Sequence, residues 1–284
     1  MNVRHIISQN GYNQISMLDL RSGMRQIDVS RAIAIVANPG VLAGIFLLAY
    51  GIHQNQGTAR AQTREFVVQD DRFEPLFDGH TLAGWEGNEQ VFRVVNGTIV
   101  AGTTDAPIQL DEFLCTTEEF RDFELKLEAR MTGAQIAGVQ FRGQRIPDST
   151  QVGGYQADMG FIPGELMQLL SDSKLENTDA RYPLWGSLLD EYRPDGSRYP
   201  DADAPYRLLA VADRSIVDGV LSPGDWNEVT ITAVGPSISI RLNGMQTVDY
   251  VEQQAVPRSG LICLQIHSGP PSQAAYRRIT VRRI

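Results

Sequence analysis

Lysine is almost absent from this 284-residue chain, where Lys126 and Lys174 leave arginine to supply nearly all of the 25 basic residues. Two cysteines, Cys115 and Cys263, and four histidines are too few for a small disulfide scaffold, and none stands in a zinc-ligand spacing. Positive charge is in deficit, with 34 acidic residues and a net charge of −9, so nothing here is built to neutralise phosphates and nucleic acid is excluded as a partner. After residue 70 no run of a dozen residues carries a helical apolar stripe, which disfavours the crossover helices of parallel α/β folds. What is present is 42% hydrophobic residues with 26 glycines and 14 prolines, enough to bury a large core and unlike a disordered or collagenous chain.

The N-terminus reads as a targeting segment. Residues 32–52 (AIAIVANPGVLAGIFLLAYGI) carry no charge, Arg25 and Arg31 precede them, and Ala59-Arg60-Ala61 forms a small-residue cleavage pattern before Gln62. A positive flank, an apolar stretch and such a site make a secretory signal peptide. Asn38-Pro39-Gly40 interrupts the run and leaves an apolar core short for a membrane span. Residues 1–61 are therefore expected to be removed on export to a periplasmic or extracellular space, with Met24 as an alternative start; an uncleaved membrane anchor is the rival reading. Residues 62–72 form a linker. Without residues 1–61 the chain keeps 20 basic and 32 acidic residues, a net charge of −12, which suits a neutral or cationic ligand. Each cysteine sits in an apolar stretch, which by itself reads as a buried free thiol. A bridge between them needs an oxidising compartment and a proximity that spacing does not reveal. Oligomeric state is not legible.

Residues 73–284 read as one all-β domain. DFELKLEARM (residues 122–131) alternates strictly, with Phe123, Leu125, Leu127, Ala129 and Met131 on one side, as in a half-buried antiparallel strand. Asn96-Gly97 and Asn243-Gly244 each separate two short apolar runs, the signal of a two-residue hairpin turn. About a dozen such strands predict a sandwich of two antiparallel sheets. Trp85 and Trp226 are expected in its core, and His80 in a turn after Asp78-Gly79. Residues 172–225, rich in proline and acid, are expected to be irregular.

Side chains two apart share a strand face, which sorts the polar residues. In residues 260–268 (GLICLQIHS), Ile262, Leu264 and Ile266 face one way, Gln265 and His267 the other. The same parity pairs Gln140 with Arg142 and Gln156 with Asp158. If the three strands are neighbours, amide, guanidinium, carboxylate and imidazole groups meet on one sheet face, a donor and acceptor set suited to a sugar. His267 is the best candidate for base or acid, because imidazole titrates near neutrality. Asp158 could be the base itself, orient His267, or join it in holding a divalent cation; no cofactor is required by the pattern. Gln140, Gln156 and Gln265 would bind hydroxyls, Trp185 would stack on a sugar ring, and Glu191 is a further acid on a segment that parity does not place.

The ordered series PLFDGHTLAGW, FRVVNGTIVAG, FLCTTEEFRDFELKLEAR, GVQFRGQRIPD, GYQADMG, WGSLLDE, PGDWNEVTI, IRLNGMQTVDY and GLICLQIHSGPP resembles the 3-keto-disaccharide hydrolase domain family. The resemblance runs over residues 73–284. It implies a concanavalin A-like jelly roll, an exported protein, and action on glycosides already oxidised to a ketone at C3. After WGSLLDE, many relatives have a short Arg-rich turn where this chain has a long Pro/Asp-rich stretch to Leu209, so no role is carried onto Arg193. A C3 carbonyl acidifies the C2 hydrogen, so a base can form an enediolate, expel the C1 substituent and let water complete a net hydrolysis. On this reading Arg142 would hold the C3 oxygen as it gains charge. A non-catalytic carbohydrate-binding module is the competing expectation, since fold does not decide function.

Overall fold

The computed structural model describes residues 72–133, 136–170, 181–191 and 206–284. The expected signal peptide, its cleavage site after Ala61, the linker up to residue 71, and Arg193 all lie outside the described residues. The strands, in chain order, are β1 (Glu74–Pro75), β2 (Trp85–Glu86), β3 (Phe92–Val95), β4 (Thr98–Thr103), β5 (Glu112–Thr116) and β6 (Phe123–Gly133). There follow β7 (Ala137–Arg145), β8 (Val152–Met159), β9 (Phe161–Pro163), β10 (Arg181–Pro183), β11 (Leu188–Glu191) and β12 (Tyr206–Ala210). The last five are β13 (Asn227–Val234), β14 (Ser237–Leu242), β15 (Met245–Val251), β16 (Leu261–Ile266) and β17 (Ser272–Arg283). Helix α1 (Gly164–Leu170) lies between β9 and β10, and α2 (Arg214–Val220) between β12 and β13.

Two large antiparallel sheets form a jelly-roll sandwich. One runs β15-β14-β13-β6-β17-β4-β3, with β1 joined to β17. The other runs β12-β11-β8-β7-β16-β5-β2, and β9 and β10 form a small ribbon. Strict alternation makes β6 what it is: Phe123, Leu125, Leu127, Ala129 and Met131 are buried, and the charged residues between them are half-exposed. Both asparagine-glycine pairs turn hairpins with left-handed backbones, φ 49° and 75° at Asn96-Gly97 and 48° and 81° at Asn243-Gly244. Such angles match the twist of the strands they join. Between the sheets, Phe120, Phe123, Phe141 and Tyr155 form a continuous chain of ring contacts, with centroids 5.5 to 6.2 Å apart.

Four expectations change. The two helices were not legible, because seven residues are too few to show a periodic stripe. Trp85 is buried and donates through its indole N–H to the Leu76 carbonyl, but Trp226 is not core. It is half-buried at the start of β13, with the guanidinium groups of Arg277 and Arg130 at 3.9 and 4.8 Å from its ring. The region expected to be irregular contributes β11 and β12 to the second sheet, with β11 directly beside β8. Finally, Cys115 and Cys263 are not free thiols. They are direct partners across β5 and β16 and form a disulfide.

Candidate active site

Strands β8, β7 and β16 are neighbours in the second sheet, flanked by β11 and β5. Their inner face packs into the sandwich core through Val139, Phe141, Tyr155, Ala157, Ile262, Leu264 and Ile266. The opposite face would be solvated in an ordinary antiparallel sheet. Here β8 is buried on both faces along its whole length. Gln140 and Gln156 are 0% exposed, Asp158 and Gln265 1%, and Glu191 6%. Enclosing polar groups costs free energy unless they are paired, so a buried polar cluster is where a site is to be sought.

Gln156 is the centre of that cluster. Its amide nitrogen lies 2.7 Å from Asp158 Oδ1, 2.8 Å from Gln265 Oε1 and 3.2 Å from Glu191 Oε1. The two carboxyl groups therefore stand no further apart than the sum of the first and last of these distances. Burial pushes the Asp158 carboxyl up to about 7, against which the Gln156 hydrogen bond works. Glu191 is raised well above the ordinary range, by burial first and then by the negative charges of Asp158, Asp111 and Asp190. Two carboxyls this close titrate as a unit, with at least one proton retained on the pair near neutrality. Among the described residues Asp158 Oδ2, Glu191 Oε2, Gln156 Oε1 and Gln140 Oε1 find no hydrogen-bond partner, so the cluster is rich in unpaired acceptors.

Gln140 is directly opposite Gln156, yet its amide runs the other way along the strand and donates to the Val152 carbonyl at 2.8 Å. His267 lies two residues, about 6.6 Å, beyond Gln265 along β16, at a rim where its side chain is 35% exposed. Its Nδ1 is 3.0 Å from the Ser268 carbonyl and 3.2 Å from Asp111 Oδ1. Asp111, which sequence reasoning missed, is buried, and also accepts from the Ser268 backbone N–H at 2.7 Å and the Gln151 amide at 3.2 Å. Only the strand register shows it: with Cys263 opposite Cys115 and Gln265 opposite Phe113, the next position on that face places Asp111 against His267.

Two expected residues stand elsewhere. The β7–β8 register shifts between Phe141 and Gln144, and Arg142 takes a left-handed φ of 50°. This bulge turns Arg142 out of the parity that held at Gln140. Its guanidinium, 0% exposed, donates to the carbonyls of Arg121 and Gly235 and to Asp122 Oδ1, tying β7 to loops of the other sheet. It is thus not positioned to hold a substrate oxygen. Trp185, 3% exposed, packs into the main core and offers no open ring face for stacking. Among the described residues no three of His, Cys, Asp and Glu cluster as metal ligands.

Among solved structures, a protein assigned as a glycosyl hydrolase from Parabacteroides distasonis is similar at 14% identity, covering 75% of this chain and 94% of its own, with a TM-score of 0.49. A second such protein from the same organism shares 20% identity, covering 75% and 100%, with a TM-score of 0.47. The carbohydrate-binding module CBM66 from Bacillus subtilis shares 11% identity, covering 70% and 95%, with a TM-score of 0.46. At such identities these are likenesses of fold alone. Curated proteins yield no match. A family profile described as a 3-keto-alpha-glucoside-1,2-lyase-like domain matches residues 72–282, nearly the whole described chain, and ties the protein to carbohydrate. The chain belongs to the 3-keto-disaccharide hydrolase family.

Proposed function

We propose that the protein is an exported enzyme that cleaves 3-keto-glycosides. The observation that carries this reading is the buried Asp158 and Glu191 pair on one amide, with Asp158 raised to about 7. A base matched to neutral pH and an acid still protonated there are the two groups the elimination needs, and neighbouring carboxyls pushed apart in pKa supply both. Asp158, as carboxylate, takes the C2 proton, and the C–H electron pair moves into the C2–C3 bond as charge develops on the C3 oxygen. Collapse of this enediolate breaks the C1–O bond, and Glu191 gives its proton to the departing oxygen. Water then adds to the unsaturated ketone: hydroxide to C1, the proton held by Asp158 back to C2, and the remaining proton to Glu191, so both groups are restored. His267, held through Nδ1 against Asp111 and the Ser268 carbonyl at the rim, would be a further polar contact to the sugar. Gln265, and Gln140 beyond it, would meet hydroxyl groups.

Export is supported by the targeting pattern of residues 1–61 and by the Cys115–Cys263 disulfide, a bond that persists in oxidising compartments. No helix among the described residues is long and apolar enough to cross a membrane. The test is to incubate residues 62–284 with 3-keto-glucosides and with their unoxidised parents, with and without chelator, and to follow release of the aglycone. Release from the keto-sugars alone is expected. Rapid cleavage of an ordinary glycoside would point to direct carboxylate chemistry. Tight sugar binding without turnover would favour a binding module. Loss of turnover with chelator would bring in a divalent cation.

A further inference from the structure

Gly138 on β7 lies between Asp158 on β8 and Gln265 on β16, directly opposite each in the register of its strand pairs. The Gln156 side chain crosses the space above it to reach both. A Cβ at position 138 would stand 2.5 Å from Gln156 Cδ, 2.6 Å from Cγ and 2.8 Å from Nε2, closer than side-chain atoms approach one another. Gly138 is not among the glycines with positive φ, so its backbone suits any residue and only this close approach demands glycine. The amide resting on it has two hydrogens and three acceptors within 3.2 Å. Two hydrogens cannot serve three acceptors fully, which leaves room for one carboxyl to carry a proton of its own.

We propose that Gly138 is the seat of Gln156, and that Gln156 is a positioning residue whose single amide holds Asp158 and Glu191 together as a proton-sharing pair. This deepens the reading of the site given above and rests on it. Among the described residues, three further titratable groups stand near the pair. Asp190 neighbours Glu191 on β11, and Asp111 stands ahead of β5 beside His267. Tyr276 reaches from β17 behind the sheet, with its hydroxyl on the carbonyls of Gln265 and Gly138. None of these touches the Gln156 amide, so its removal acts on the pair and on Gln265, the amide's third acceptor, which is neutral. The bond from Gln156 favours the charged form of Asp158. Without it, Asp158 should keep its proton to higher pH.

The experiment is a carboxyl-carbon NMR titration of residues 62–284, as wild type, Gln156→Met and Gly138→Ala, beside the pH profile of keto-glycoside turnover. Gln156→Met keeps the length and apolar stem and removes the amide; Gly138→Ala displaces it. Each should move the Asp158 titration, and with it the acidic limb of turnover, up by about one pH unit or more, the size of one hydrogen bond to a charged group. If Gly138→Ala does not fold, Gln156→Met carries the test by itself. A merely structural role would lower the melting temperature and leave both titrations where they are, and that result overturns the proposal. If the wild type turns over no keto-glycoside while the carboxyl titrations still shift, the proposed activity fails and the positioning role of Gln156 stands.

Discussion

Asp158 and Glu191 make the sharpest claims at the scale of single residues. Asp158→Asn removes the base and Glu191→Gln the proton donor, without changing the size of either side chain. Each should lower turnover of a 3-keto-glycoside by a factor on the order of 100 or more, the usual contribution of a positioned acid or base, with the melting temperature held or raised. It should not fall, because each substitution replaces a buried acid, raised in pKa by its own burial, with a neutral amide. Arg142→Ala should do the reverse. It strips a buried guanidinium from three backbone and side-chain acceptors in two loops, so a loss of about 3 kcal/mol of stability is expected in denaturant titrations, the scale of breaking a buried charged pair. Turnover per folded molecule should stay within a fewfold of wild type. A hundredfold loss in Arg142→Ala with stability intact would return it to the site.

At the scale of elements, the disulfide between β5 and β16 lies on the same face as Gln265 and His267. It joins segments 148 residues apart in sequence, so its removal frees a long loop in the unfolded chain. Reduction, or Cys115→Ala with Cys263→Ala, should lower the melting temperature by roughly 10 °C, from about 4 kcal/mol spread over a domain of this size. Scanning calorimetry with and without reductant reads this directly; an unchanged midpoint would remove the bond from the account of stability. The same strands explain why the site was only half legible. Parity along β8 and β16 placed Gln156, Asp158, Gln265 and His267 on one face, because an unbroken strand turns each side chain by half a revolution. Parity along β7 failed at Arg142, where one left-handed residue resets the count. No local pattern marked β11 as the neighbour of β8, so the partner of Asp158 stayed unplaced.

For the molecule as a whole, the buried pair sets a dependence on pH. The folded Asp158 holds its proton up to about 7, against an ordinary 3.8, so between those values the folded state binds more protons than the unfolded one. Stability therefore falls as pH rises through that window and levels off above it, and Glu191 acts in the same sense. Asp78 works oppositely. Backbone and hydroxyl donors at Thr81 and His80 hold it at about 2, and its contribution is lost as pH falls from 3.8 toward that value. Denaturation midpoints from pH 3 to 8 should decline above about pH 4 in the wild type and decline less in Asp158→Asn. A rise through that window in the wild type would contradict the buried pair. Export is the other claim at this scale: N-terminal sequencing from the native host should begin at Gln62, and an intact cytoplasmic chain would refute it.

What the amino-acid order determined by itself is everything that depends on near neighbours. Alternation in β6, the two asparagine-glycine turns and the ordered motifs of the family are local, and they specify an all-β sandwich without reference to distant contacts. Tertiary structure decided the rest. It buried the outer face of β8, bringing Asp158 and Glu191 onto one amide from strands separated by 28 residues of chain between Met159 and Leu188. It also bridged Cys115 to Cys263 and spent Arg142 on two loops of the opposite sheet. The pKa of a carboxyl depends on what encloses it, and enclosure is a property of the packed molecule that no stretch of sequence carries.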